Sequence, residues 1–117
     1  QPPGWLTDTI RRLLDHYETQ GKILPRYKRA LLVIDEHSSI GGRHVFDQDN
    51  KGWKAVSNAL KGRVIEDDDQ YTLNVALVSK MSKEAACHIT LLEQRDAADF
   101  FSLRAGDHGL GCLYDSL

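Results

Sequence analysis

At 117 residues and 13.2 kDa the chain is the size of one domain. An apolar fraction of 41% is enough for a single core and a charged fraction of 27% is ordinary, so a globally disordered chain is excluded. The net charge of −2 does not demand a polyanionic partner, but it is unevenly spread: residues 93–117 hold five acids and two arginines, which leaves thirteen Lys/Arg against twelve Asp/Glu in the rest and permits a nucleic-acid partner.

No apolar run approaches the ~20 residues that cross a bilayer, so no membrane partner is expected. Cys87 and Cys112 stand far apart with no Cys-x-x-Cys spacing, the pattern of a reduced, cytoplasmic protein.

In chain order, a Pro/Gly lead-in (Gln1 to Gly4) precedes Thr7 and Asp8, either of which can cap a helix. Leu6, Ile10, Leu13, Leu14 and Tyr17 then recur as one helical stripe that Gly21 ends. Tyr27 to Asp35 reads as a strand, with Ala30-Leu31-Leu32-Val33-Ile34 apolar on both faces and therefore covered on both. Arg26, Lys28 and Arg29 just before it read either as a solubilising rim or as an edge that contacts phosphates. Ser-Ser and Gly-Gly make His37 to His44 a loop.

Lys51 to Lys61 has helical periodicity, with Trp53, Val56 and Leu60 on one side and Lys51, Lys54, Asn58 and Lys61 on the other; Gly62 ends it. Tyr71 to Val78 alternates as a half-buried strand, Met81 to Glu84 turns, and Cys87 to Leu92 returns as the second strand of an antiparallel hairpin. A short helix is expected around Ala97 to Leu103, followed by a loop containing Gly106, Gly109 and Gly111. Phe100, Phe101 and Leu103 are available to pack on the domain or on a second subunit. The expected fold is α/β of the α+β kind: one domain over residues 1–94, a small mixed sheet with helices against it, and a tail over residues 95–117.

The chemistry-bearing residues flank the lysine helix. Asp47 and Asp49, at i and i+2 in extended chain, can point the same way. A third carboxylate from Asp67, Asp68 or Asp69 would complete a hard oxygen set for Mg²⁺. Such a metal lowers the pKa of bound water and screens phosphoryl charge, and Lys54 nearby would stabilise negative charge developing on the phosphate. The plainer alternatives are an N-cap for Asp49-Asn50 and a solvated turn for Asp67-Asp68-Asp69. An EF-hand loop starting at Asp47 fails at Lys51 and Asn58, where oxygen ligands are required, and His37, His44 and Asp47 fit no zinc spacing.

Asp47-Gln48-Asp49-Asn50, then Lys54 to Gly62 with Asn58-Ala59-Leu60, then Glu66-Asp67-Asp68-Asp69-Gln70 resemble the RusA family of Holliday-junction resolvases. That family's pattern is Asp-x-Asp-Asn, a helix carrying a lysine and Asp-Ala-Leu, and Asp-Asp-x-Gln leading into a strand. About 25 residues carry the motifs, and the order of elements extends the likeness over roughly residues 5–94.

The resemblance implies a dimeric, cytoplasmic, bacterial or phage-type α/β endonuclease that cuts branched double-stranded DNA at four-way junctions with Mg²⁺, or Mn²⁺ in its place. By motif position, Asp47, Asp49 and Asp68 would be the metal-binding catalytic carboxylates. Lys54 would be the catalytic lysine, with Lys51 competing for that role. Asp67 and Asn50 would be accessory, and Lys51, Lys61 and Arg43 would contact DNA. Asn58 stands where the pattern has Asp, and the family's N-terminal strand with its Pro-Pro-x-x-Asn segment is not recognisable in the residues before the first helix. These departures motivate an alternative, a catalytically inactive DNA- or protein-binding module on the same fold.

Overall fold

The apolar run Ala30 to Ile34 forms the middle of a three-stranded sheet. In the computed structural model, which describes residues 4–38, 52–84 and 86–109, the order of elements is α1 (Trp5–Thr19), β1 (Ala30–Ser38), α2 (Trp53–Leu60), β2 (Leu73–Met81), β3 (Ala86–Glu93), a 3₁₀ turn (Gln94–Asp96) and α3 (Ala97–Gly109). The architecture is α+β in a single domain. The sheet order is β2-β1-β3, with β1 parallel to β2 and antiparallel to β3. Ala30 is paired with Leu73 on one side and Glu93 on the other.

This corrects the expected hairpin. β2 and β3 do not pair with each other; they flank β1, and the chain steps across the end of β1 between Met81 and Ala86. A short turn between two alternating runs looks the same in sequence whether the runs pair or straddle a third strand. A strand apolar on both faces gains most from neighbours on both edges as well, and β1 takes both.

The even-numbered residues of β1 point toward α1 and α2. Ala30, Leu32 and Ile34 join Val56, Leu60, Val64, Ile65 and Leu73 in the buried core, with Leu6, Ile10 and Leu14 of α1 and Trp53 of α2 packed against it. From the same helical stripe Leu13 and Tyr17 stay outside, 63% and 37% exposed. Ile34 is 1% exposed, so Ile34→Val should cost about 1 kcal/mol of unfolding free energy, read as a lower urea midpoint at unchanged slope.

Helix termini follow local rules. Gly21 and Gly62 both adopt positive φ, 82° and 78°, one residue past the helix caps Gln20 and Lys61. The start of α1 differs from expectation. It begins at Trp5, with the Asp8 amide donating to Gly4 O at 3.0 Å. Thr7 caps nothing; its hydroxyl donates to Ala55 O at 2.8 Å and ties α1 to α2.

Other boundaries move as well: β1 begins at Ala30 rather than Tyr27, and β2 spans Leu73–Met81 rather than Tyr71 to Val78. β1 runs on through Ser38, because Asp35 and Glu36 stay in register with His88 and Cys87 of β3 although they are charged. α3 continues past Leu103 to Gly109, so Gly106 lies within it rather than in a loop. Among the described residues no helix is long and apolar enough to cross a membrane.

Candidate functional site

The acidic cluster sits where α2 hands over to β2. After Leu60 the chain turns through Gly62, whose amide donates to Ile65 O at 2.6 Å, and runs beside Tyr27, whose amide donates to Val64 O at 2.9 Å. Asp67 and Asp68 follow, half-exposed. Asp67 Oδ1 accepts the Asp68 amide at 2.8 Å. Asp69 is used differently. Its Oδ1 accepts the amides of Tyr71 and Thr72, both at 2.9 Å, and so shapes the turn into β2. The triplet is thus divided: Asp69 shapes the turn into β2, and Asp67 holds only the next amide in the chain.

Lys61 closes on Asp67 and Asp68. Its Nζ lies 3.3 Å from Asp67 Oδ1 and 3.6 Å from Asp68 Oδ1. The Asp68 amide and the Lys61 ammonium hold the Asp67 carboxyl below its usual range, and the two acids raise Lys61 in turn. Lys54 is at the other end of the helix, in its first turn, about 10 Å along the axis from Lys61. Its ammonium lies 5.6 Å from the centre of the Trp53 ring. Asp47, Asp49, Asn50, Lys51 and Arg43 lie outside the described residues.

The donor set suits a hard cation. Asp67 and Asp68 offer oxygen only, and Mg²⁺ commonly takes one or two carboxylates and fills its remaining positions with water and phosphate oxygens. Among the described residues no group of three or more His, Cys, Asp or Glu is disposed to hold a metal ion.

A second polar cluster lies across the sheet, away from the acids. On the odd-numbered face of β1, Asp35 is 7% exposed and is gripped by Arg104 of α3, with Nε to Oδ2 at 2.7 Å and Nη2 to Oδ1 at 3.0 Å. His37 Nε2 lies 3.3 Å from Asp35 Oδ2, an ion-pair distance without an aligned hydrogen bond, and its ring meets that of His88 at a 46° tilt with centroids 4.4 Å apart. Burial pushes the Asp35 carboxyl up, but Arg104 and His37 together outweigh it and hold the group below its usual range. Burial pushes His37 down, and Lys80 and His88 add to that against the opposing pull of Asp35. Cys87, on the core side, is raised to about 11 by burial and by Glu36 and Asp35, so it is an inert thiol.

These shifts have a sign for stability. Asp35 and His37 both bind a proton less readily folded than unfolded, so acidification favours the unfolded chain. The urea midpoint should be highest above pH 6.5, fall as His37 is protonated below that value, and fall again below pH 3.8 as Asp35 is protonated. His37→Gln should remove the first of these two declines and leave the second.

Sequence reasoning misses this cluster because its partners are 69 residues apart. Its one local signal is Asp35-Glu36 closing an apolar run with no break in it. Compared with known proteins, the chain matches no family model, no curated protein and no solved structure.

Proposed function

We propose that this chain is an Mg²⁺-dependent, structure-selective DNA endonuclease of RusA type that resolves four-way junctions by paired symmetric nicks. The observation that carries the reading is the partly exposed Asp67–Asp68 pair at the exit of α2, gathered on one ammonium while Asp69 shapes the turn. Two partly exposed carboxylates add nothing to the core, and they lie at the position of the Asp-Asp-x-Gln motif.

In this reading Asp68 holds the metal together with Asp47 and Asp49, and Asp67 is the accessory acid. Bound Mg²⁺ supplies an acidified water and screens charge on the scissile phosphate. The Asp68 amide fixes Asp67, Lys61 offsets the charge of the pair, and Lys54, or Lys51 in its place, would support negative charge developing in the transition state. One site cuts one strand, so resolution requires two sites, which a twofold homodimer provides.

A second reading has its own observation. Lys61 already places a cation between the two acids, as a protein that no longer binds metal would. The chain would then be a non-catalytic module that binds DNA or protein. Incubation with synthetic four-way junctions in Mg²⁺ or Mn²⁺ separates the two: symmetric nicks support the nuclease, and binding without nicks supports the module.

A further inference from the structure

Most cations of the described residues are already engaged. Arg63 pairs with Asp15 and Glu18, Lys61 with Asp67 and Asp68, Arg104 with Asp35, and Arg11 with Asp8, while Lys22 and Lys54 lie over aromatic rings. Arg12, Arg26, Lys28, Arg29, Lys83 and Arg95 are not engaged among the described residues, and of these Lys28, Arg29 and Arg95 are grouped. They are exposed, none has a carboxylate or aromatic partner among the described residues, and all three line one cleft of about 570 Å³ together with Glu93 and Gln94.

The backbone holds these charges together. The Gln94 amide donates to Arg29 O at 2.8 Å, which fixes the stretch before β1 against the turn after β3. Glu93 offsets one of the three charges and leaves the lining positive on a chain whose net charge is −2. Grouping unpaired cations at a concave edge costs self-repulsion, and a polyanion relieves it.

The cleft also lies at the same end of the sheet as the acids, the end where β1 starts. Tyr27, between Arg26 and Lys28, bridges to Ile65, two residues before Asp67. The cleft is on the β3 side of the start of β1 and the acids are on the β2 side. At about 4.8 Å per strand, this end of the sheet is roughly 10 Å across from β2 to β3, or about three base-pair steps at ~3.4 Å each.

We propose that the cleft formed by Lys28, Arg29 and Arg95 is a binding site for the phosphate backbone of DNA, which it guides toward the Asp67–Asp68 pair. The choice of DNA as the polyanion rests on the nuclease reading; the site itself rests on the unpaired cations. Backbone phosphates suit it because all three contacts are charge contacts and none reads a base edge.

The test is the salt dependence of four-way-junction binding by the full chain in EDTA, where no metal acts. Lys28→Gln/Arg29→Gln/Arg95→Gln should reduce the slope of log K against log salt by about 2.7, or roughly 40-fold less affinity lost between 50 and 200 mM salt. The charge-matched variant Arg12→Gln/Lys22→Gln/Lys83→Gln should keep the wild-type slope. An unchanged slope in the first variant, an equal reduction in the second, or cleft-dependent binding to anionic lipid vesicles in place of DNA overturns the proposal. Because no nick is scored, a reduced slope upholds the cleft even if the junction is never cut. Nicking with an unchanged slope sinks the cleft and spares the nuclease.

Discussion

Arg104→Met should lower the unfolding free energy by about 3 kcal/mol at pH 7. The mutation leaves the Asp35 carboxylate in place at 7% exposure and deprives it of both bonds, the 2.7 Å and the 3.0 Å contact. Breaking a buried pair by removing one partner costs about 3–5 kcal/mol, and the lower end applies because the Arg104 side chain keeps 21% of its surface in water. The deficit should narrow toward acidic pH, since burial unopposed by a guanidinium raises Asp35, and a neutral carboxyl is less costly to bury than an anion. Asp35→Leu/Arg104→Leu should recover most of the loss, as apolar replacement of a whole buried pair commonly does. Urea titrations of the two variants at pH 7 and pH 5 check all three statements. A loss of only a few tenths of a kcal/mol would mean that α3 is not held to the sheet by this pair.

Asp68→Asn should slow junction cleavage about 1,000-fold, or ~4 kcal/mol of lost transition-state stabilisation, with junction binding retained. Asparagine keeps the size and an oxygen but removes the negative charge that a divalent cation needs. Stability should stay within about 0.5 kcal/mol, because the Asp68 side chain is 31% exposed and Lys61 keeps its shorter contact, to Asp67. The split between rate and stability is what marks a metal-holding role. Single-turnover cleavage in Mg²⁺ beside a urea titration measures both, and an unimpaired rate would remove Asp68 from the site.

The features legible in the sequence are those written in local chemistry. Gly21 and Gly62 mark helix ends because only a residue without Cβ takes positive φ at no cost, and Ala30 to Ile34 marks a central strand because no half-exposed strand is apolar on both faces. The lysine row on α2 is also visible, but its pairing is not. Spacing from Asp49 favours Lys54, whereas the turn at Gly62 folds the chain back so that Lys61 meets Asp67 and Asp68. Partner choice between strands is hidden for a related reason: alternation records which face of β2 and β3 is buried, and says nothing about which edge is bonded. The Asp35–Arg104 pair requires knowing that α3 covers the odd face of β1, a fact of tertiary structure only.

The strand order also bears on how the protein is made. β1 is complete at Ser38, but its second neighbour is not finished until Glu93, 55 residues later. At ribosome speeds of about 5–20 residues per second that interval is roughly 3–11 s, during which the most apolar strand of the chain has at least one edge unpaired. Nascent chains of this protein are therefore expected to engage chaperones through residues 30–34 before the sheet can close around them.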